Sequence, residues 1–160
     1  MRYKDYKHSD LLLLTHLRKN ARSTLTNLSK KTRIPVSTVF DKIRLFESLY
    51  VTKYTSLIDF TKFGFFARAH VIFRVSKKHI ERVREFLLDH PNVNSLYKIN
   101  NGYDFQVELV FKHIQELENF LDGMNRKFTI KQSIIYYLLD ELRREAFLTT
   151  PNSIELVMPS

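Results

Sequence analysis

The fold of the N-terminal part is decided by residues 34–48, which read IPVSTVFDKIRLFES. Apolar side chains recur there every three or four positions, as along one face of an α-helix: Val36, Val39, Phe40, Ile43 and Phe46. Polar and charged side chains fill most other positions, and Leu45 is the residue that fits this pattern worst. Pro35 suits the first turn of a helix, where its missing N–H costs nothing. The stretch predicts a helix that packs on its own domain by one face and turns a polar, basic face outward.

Two shorter amphipathic helices are expected before this one, and an extended segment after it. The first helix is capped at Ser9-Asp10 and ends near Asn20, and the second covers about Thr24 to Lys31. Residues Val51 to Ile58 read as extended, as a small wing followed by an exit strand would. Three helices and a wing, with a short turn before the third helix, are typical of a winged helix-turn-helix module that binds DNA.

From Phe65 the apolar period changes to two, which indicates β-strands with one buried face. The predicted elements alternate as strand, helix, strand, strand, helix and strand, over about Ala67–Val75, Lys78–Asp89, Val93–Ile99, Tyr103–Phe111, His113–Arg126 and Ile130–Leu139. This order is the split βαβ arrangement of ferredoxin-like α+β domains. Its helices cover one sheet face only, so dimerisation through the other face is the simplest way to cover it. The last strand is apolar on both faces at Ile134–Leu139, so it is either central in its sheet or covered by a partner subunit.

The positive charge of the chain is unevenly distributed. The formal net charge is +9 over 160 residues, and residues 1–63 carry 13 Lys/Arg against 5 Asp/Glu. Residues 64–160 carry 13 against 12, so nearly all the excess lies in the first two-fifths of the chain. A basic module joined to a nearly neutral one suggests a polyanion partner, and without a long amphipathic helix a membrane surface is disfavoured. We expect a DNA-binding domain over residues 1–63, a second domain over 64–148 and a tail over 149–160.

The outward face of the third helix supplies the predicted contacts to bases. Its side chains are expected to meet base edges in the major groove of double-stranded DNA: Ser37, Thr38, Asp41, Lys42 and Arg44. Other cations of the module are expected to hold backbone phosphates without reading sequence: Arg22, Lys30, Lys31, Arg33 and Lys53. The alternative is a basic three-helix core that binds only protein.

Other kinds of chemistry find little support in the sequence. There is no cysteine, so thiolate metal sites, disulfides and catalytic thiols are excluded. The six histidines lack metal-ligand spacing, and neither a phosphate-cradling Gly loop nor a Gly-x-Ser-x-Gly motif occurs. We therefore expect no enzymatic activity, no cofactor and no metal. The polar start and the short apolar runs indicate neither a signal peptide nor a membrane span, so we expect a cytoplasmic protein.

The turn at Asn100-Asn101-Gly102, followed by Tyr103 and Asp104, has two interpretations. Backbone groups freed by the turn, together with the Asp104 carboxylate, would hold the ammonium and carboxylate groups of an amino acid. Alternatively, this is a hairpin turn in which Gly102 supplies a positive φ and Tyr103 starts a strand.

Together these motifs resemble those of the Lrp/AsnC family of prokaryotic transcription regulators. The matching residues run in order from about Ser9 to Leu148: Asn20-Ala21-Arg22, Ile34-x-x-Ser37-Thr38-Val39-x-x-Lys42-Ile43, Glu47, Tyr54, Ile58-Asp59, Lys62-x-Gly64, His90-Pro91-x-Val93, Gly102-Tyr103-Asp104 and Glu116-Leu117. The resemblance implies an N-terminal winged helix-turn-helix and a C-terminal ligand-sensing (RAM) domain. It also implies homodimers formed through the RAM sheets, which often assemble into tetramers or octamers that bend or wrap DNA.

The resemblance further implies an amino-acid effector bound between dimers, near the Gly-x-Tyr-Asp loop and a Thr-x-Thr stretch of the last strand. Transferred to this chain, that site comprises Asn100, Asn101, Gly102, Tyr103, Asp104, Ser133 and Ile135. Two positions depart from the family pattern. Tyr50 stands where the family has the Gly that ends the recognition helix, so we expect the wing to leave this helix differently. Ser133-x-Ile135 stands in place of Thr-x-Thr, which removes one hydroxyl and adds bulk.

The leading hypothesis is a transcription regulator that binds double-stranded DNA sequence-specifically and is modulated by a small molecule such as an amino acid. It would act as a homodimer or a larger assembly on the nucleoid. Two alternatives remain: an architectural, nucleoid-type DNA binder without strong sequence preference, and a small-molecule sensor that acts on a protein partner.

Overall fold

The computed structural model describes residues 7–157 of the chain. These residues fall into two compact units: one comprises residues up to 56 together with those from 143 on, and the other comprises residues 57–142. The first unit contains three helices, α1 (His8–Lys19), α2 (Leu25–Thr32) and α3 (Val36–Leu49). All three helices lie where the sequence predicts them, to within a few residues at each end.

A small apolar core holds these three helices together. Leu13, Leu28 and Val39, one from each helix, are fully buried, and Phe46 is nearly so. Burying a side chain of this size stabilises the folded state by about 1.5–3 kcal/mol. The leucine spacing that predicts α1 and α2 therefore also supplies the surface on which α3 packs.

The chain leaves α3 differently from the family pattern, as expected. Tyr50 has φ −129°, outside the left-handed region, and its N–H donates to the carbonyl of Phe46. The expectation of a strand over Val51–Ile58 is wrong for this chain by itself, since residues 51–59 belong to no strand. A strand requires a neighbouring backbone with which to exchange hydrogen bonds, and an extended sequence pattern does not provide one.

The C-terminal segment is an ordered part of the helical unit. Residues Pro151–Leu156 form a 3-10 helix that lies against α1, and Ile154 is almost fully buried there. Arg18 of α1 donates hydrogen bonds to the Phe147 carbonyl at 2.8 Å and to the Glu145 carboxylate at 2.5 Å. The sequence alone predicts only a tail here, because a single buried isoleucine does not produce a periodic apolar pattern.

The second unit is an α+β domain built around a four-stranded antiparallel sheet. Its regular elements are β1 (Ala67–Val75), α4 (Ile80–Asp89), β2 (Val93–Lys98), β3 (Phe105–Phe111), α5 (Ile114–Lys127) and β4 (Ile130–Tyr137). Short 3-10 helices at Phe60–Phe63 and Lys77–His79 precede β1 and α4. The strand order is β2-β3-β1-β4, so the predicted ferredoxin-like arrangement and the β2–β3 hairpin are confirmed. No helix within residues 7–157 is long and apolar enough to cross a bilayer.

The final strand lies at an edge of the sheet and not at its centre. Among the strands of residues 7–157 it pairs only with β1, and Tyr136 remains 54% exposed. Of the two explanations for its apolar residues on both faces, a central position is therefore wrong. The split βαβ topology itself dictates this, because the second crossover returns the chain to the free side of β1.

Candidate nucleic-acid interface

The third helix has a narrow buried face and a broad exposed one. Val39 and Phe46 are buried and Ile43 is half-buried, so these residues define the inward side. Successive residues advance about 100° around a helix, which puts Ser37, Arg44 and Ser48 close to the opposite side. All three are exposed, as is Asp41. The structure therefore brings most of the predicted base-contacting residues together on one face of α3.

Two apolar residues of α3 lie on the exposed side, contrary to the sequence prediction. Val36 is 43% exposed and Phe40 is 44% exposed. Phe40 lies about 100° around the helix from Val39, beyond the face that α1 and α2 cover. The Arg44 guanidinium lies over the Phe40 ring, 5.0 Å from its centroid. Leu45, the apolar residue expected to point outward, is 51% exposed and does so.

Lys42 occupies a different position from the other candidate base contacts. Its ammonium group pairs with the Asp10 carboxylate of α1, and the two side chains are only 25% and 20% exposed. Thr38 lies on the same flank and is half-buried. In the protein without DNA, the charge of Lys42 is thus engaged in holding α3 to α1.

The turn between α2 and α3 is fixed by local hydrogen bonds. Arg33 ends α2 in the left-handed region at φ 59°, and its side chain is exposed. The Ser29 hydroxyl donates to the Ile34 carbonyl at 2.6 Å, and Ile34 itself is buried. A non-glycine residue with positive φ is uncommon. The turn thereby sets the direction in which α3 leaves the core.

The cations predicted to hold phosphates are available for such contacts. All five side chains are exposed, and none has a carboxylate partner within residues 7–157: Arg22, Lys30, Lys31, Arg33 and Lys53. Without carboxylate partners among the described residues, these exposed cations present their charge to solvent.

The loop predicted to hold an effector is a hairpin turn whose carboxylate is already hydrogen-bonded. Asn101 and Gly102 have φ of 61° and 86°, so the expectation that Gly102 supplies a positive φ is confirmed. Exposed Asn100 precedes them, and Tyr103 is half-buried. The Asp104 carboxylate accepts a 2.7 Å hydrogen bond from the backbone N–H of Val75, at the irregular end of β1.

The two predicted halves of the effector site lie on either side of one end of β1. Phe73 of β1 pairs with Phe105, next to Asp104, on one side and with Ser133 on the other. Ser133 is exposed, whereas Ile135 is half-buried and packs against the core. The loop and the strand therefore lie at the same end of the sheet.

The sequence gives no sign of a groove that opens beside Ser133. It has a volume of about 840 Å³ and is lined by His79, by residues 125–132 and by Ser133. The ring of His79 accepts a 2.9 Å hydrogen bond from the N–H of Thr129, which joins the two sides of the groove. These two residues lie 50 positions apart, so no local motif relates them.

A buried polar network lies on the helix-free face of the sheet, and no sequence pattern predicts it. Glu108, only 8% exposed, accepts hydrogen bonds from Arg68 at 2.7 Å, Asn94 at 2.7 Å and Ser95 at 3.1 Å. Burial by itself would raise the pKa of the Glu108 carboxyl, but these hydrogen bonds outweigh it and lower that pKa. In a strand of alternating polarity, a single acidic residue is predicted to be exposed. Only the register between the strands shows which residues donate hydrogen bonds to it.

Apolar side chains flank this network on the same sheet face. Ile72 of β1 pairs with Ile134 of β4, and both are half-buried. The neighbouring Tyr136 is 54% exposed. Partly exposed apolar side chains on a sheet face without helices make that face a candidate for cover by a partner.

Within the described residues, no group of three or more His, Asp or Glu side chains lies close enough together to hold a metal ion.

Comparison with known proteins relates the chain to one family. The family model for the Lrp/AsnC ligand binding domain matches residues 68–145. The HTH-type transcriptional regulator FL11 of Pyrococcus horikoshii is 30% identical over 114 residues, which are 71% of this chain and 76% of FL11. The transcriptional regulator AzlB of Bacillus subtilis is 26% identical over 117 residues, covering 71% of this chain and 74% of AzlB.

Solved structures show the same fold. A transcriptional regulator from Neisseria meningitidis, crystallised as a complex with L-Met, superposes with a TM-score of 0.81 at 17% identity. The superposition covers 87% of this chain and 93% of that one. LrpC of B. subtilis superposes with a TM-score of 0.77 at 21% identity, covering 89% of this chain and 99% of LrpC.

Proposed function

Because the chain belongs to the Lrp/AsnC family of transcription regulators, we propose that it is a sequence-specific regulator that binds double-stranded DNA. The curated relatives are named as transcriptional regulators and not as enzymes, which points to a non-enzyme here as well. A regulator of this kind works on chromosomal DNA in the cytoplasm. Its three N-terminal helices would form a helix-turn-helix, with α3 as the recognition helix.

The exposed face of α3 is the observation that carries this proposal. Ser37, Asp41 and Arg44 lie side by side there, on a helix whose opposite face is buried in its own domain. Hydroxyl, carboxylate and guanidinium groups are those that recognise base edges in the major groove. The five exposed cations around the core supply the charge that phosphate contacts need.

Lys42 and Thr38 would play a lesser part than Ser37 and Arg44. Lys42 is paired with Asp10, so a contact to DNA would first require that pair to open. We propose that Lys42 mainly orients α3 and that Arg44 makes the strongest base contact.

The active form would be a homodimer held through the helix-free sheet face. The apolar side chains around Glu108 favour this surface, and a dimer would place two recognition helices on one palindromic site. Larger assemblies would form from such dimers.

A small-molecule effector would bind near Ser133, at the end of the sheet where the open groove lies. The structural relative from N. meningitidis carries L-Met, which supports an amino acid as the ligand class. We expect amino acids to bind this chain only weakly. The Asp104 carboxylate already accepts a hydrogen bond from Val75, and Ile135 lacks the hydroxyl that the family pattern has at that position. A thermal-shift screen of the standard amino acids tests this, and a large shift with any of them would contradict the expectation.

The central proposal is tested by selecting bound fragments from a genomic library and measuring their affinity by fluorescence anisotropy. A selected fragment should bind about 10³-fold or more tightly than a random duplex of equal length at one fixed salt concentration. Arg44→Ala should weaken binding to the selected fragment by about five- to 150-fold, the value of one good base contact. The matched control is Arg82→Ala, which removes an exposed arginine from α4.

The outcomes separate the competing functions. Equal affinity for selected and random duplexes would identify an architectural binder. No affinity for duplex DNA at all would favour a sensor that acts on a protein partner.

A further inference from the structure

Three side chains form a ridge along the exposed side of α3. Val36, Phe40 and Arg44 follow one another at intervals of four residues, which places them nearly in line on a helix. Val36 and Phe40 are each more than two-fifths exposed. The Arg44 guanidinium stacks on the Phe40 ring at 5.0 Å, so the two side chains hold each other in place. The ridge borders Ser37 and Asp41, on the face proposed to enter the major groove.

The chemistry of this ridge differs from that of the polar residues beside it. A phenyl ring does not form the hydrogen bonds by which polar side chains read base edges. Packing it against hydrated polar groups of the groove would add no binding free energy. The major groove offers one apolar group, the C5-methyl of thymine, and phenylalanine contacts this methyl in known recognition modes. The guanidinium over the ring retains N–H donors that guanine O6 and N7 would accept.

We propose that Phe40 is a specificity-determining residue that reads a thymine methyl, with Arg44 reading a nearby guanine. This inference rests on the DNA-binding function proposed above and specifies the class of operator. Four residues of helix advance about 6 Å, and stacked bases are about 3.4 Å apart, so the thymine and the guanine lie within about two base pairs. Each half-site recognised by the protein therefore contains both bases.

The test replaces thymine by deoxyuridine, one position at a time, in a duplex selected by the wild-type protein. Uracil lacks only the C5-methyl, so every hydrogen bond to the base pair is retained. At one thymine in each half-site the affinity of the wild-type protein should fall by about three- to fivefold, the value of burying one methyl group. Phe40→Ala should bind the unmodified duplex correspondingly more weakly and should be indifferent to uracil at that position.

Two further variants keep the outcome interpretable. Phe40→Leu retains an apolar side chain and should keep part of the sensitivity to uracil, which shows that the helix is still in place. Leu88→Ala removes an exposed apolar side chain from α4 and should behave as the wild-type protein does at every position.

Three results would overturn the inference. The first is a wild-type protein whose affinity is unchanged by uracil at every position. The second is a Phe40→Ala variant that keeps the full loss of affinity on uracil substitution. Alternatively, Phe40→Ala would change the size of the DNA-free protein on a sizing column, which would assign the ring to a protein contact. Failure of the proposed function is distinct from these, since the wild-type protein would then show no preference for the selected duplex over random DNA.

Discussion

The polar network around Glu108 leads to a specific prediction for Glu108→Ala. The carboxylate accepts three hydrogen bonds on the helix-free sheet face, from Arg68, Asn94 and Ser95. Removing it leaves three donors without this acceptor, one of them an N–H of Arg68, whose side chain is only 18% exposed. Breaking one partner of a fully buried ion pair costs about 3–5 kcal/mol. Arg68 keeps its 3.0 Å bond to Glu141, so we expect a smaller loss here, about 2–4 kcal/mol of the free energy of unfolding.

The measurement is urea unfolding at pH 7, followed by circular dichroism at one protein concentration for all variants, since self-association would shift stability. Glu85→Ala serves as the control because it removes an exposed carboxylate from α4, and it should change the free energy by less than about 0.5 kcal/mol. The double variant Arg68→Met/Glu108→Leu should recover most of the loss, because an apolar pair leaves no stranded charge. A loss below about 0.5 kcal/mol for Glu108→Ala, or a double variant no more stable than the single one, would refute the reasoning.

The same network predicts a dependence on pH. The pKa of Glu108 is lowered in the folded protein, despite the burial that would raise it, by its hydrogen bonds from Arg68, Asn94 and Ser95. The stabilisation from this lowered pKa is complete above the unfolded value of about 4.3 and is lost as the pH falls through the folded pKa. The stability difference between the wild-type protein and Glu108→Ala should therefore shrink below about pH 4. A difference that stays constant down to pH 3 would contradict this.

Three more substitutions test the helical unit by urea unfolding. Ile154→Ala should destabilise it by about 2–5 kcal/mol by opening a cavity against α1, whereas the exposed control Leu156→Ala should change stability by less than about 0.5 kcal/mol. Equal effects would mean that the C-terminal segment is not part of this core. Lys42→Met should lower the free energy of unfolding by about 1 kcal/mol or less, because the ion pair with Asp10 of α1 is lost. It should weaken DNA binding less than Arg44→Ala does. The reverse order of affinities would make Lys42 a direct DNA contact. Thr24→Ala should cost about 1 kcal/mol, because its oxygen accepts the N–H of Asn27, in the first turn of α2, at 3.2 Å. An unchanged midpoint would rule out this cap.

The elements of the fold were largely predictable because each depends on residues close together in the chain. The strict alternation over Ala67–Val75 and the helical spacing over Val36–Leu49 both correspond to elements in the structure. The positive φ of Gly102 followed from its place in a turn. The order of these elements left the ferredoxin-like sheet as the natural arrangement, and the uneven charge pointed to DNA.

The candidate interface was predictable only in part. The exposed positions of Ser37 and Arg44 follow from helical geometry and the most apolar side of α3. The exposure of Phe40 does not, because hydrophobic spacing cannot tell how wide a face the neighbouring helices cover. The pairing of Lys42 with Asp10, 32 residues away, likewise depends on how α1 packs on α3.

By itself, the sequence determined which segments are helices and strands, since periodicity and turn chemistry act within a few residues of one another. Only the tertiary structure decided that β4 lies at an edge, that Glu108 is buried among three donors and that Ile154 joins the helical core. Each of these depends on residues far apart in the chain that meet only when whole elements pack, and packing depends on the shape and coverage of surfaces that no local pattern records.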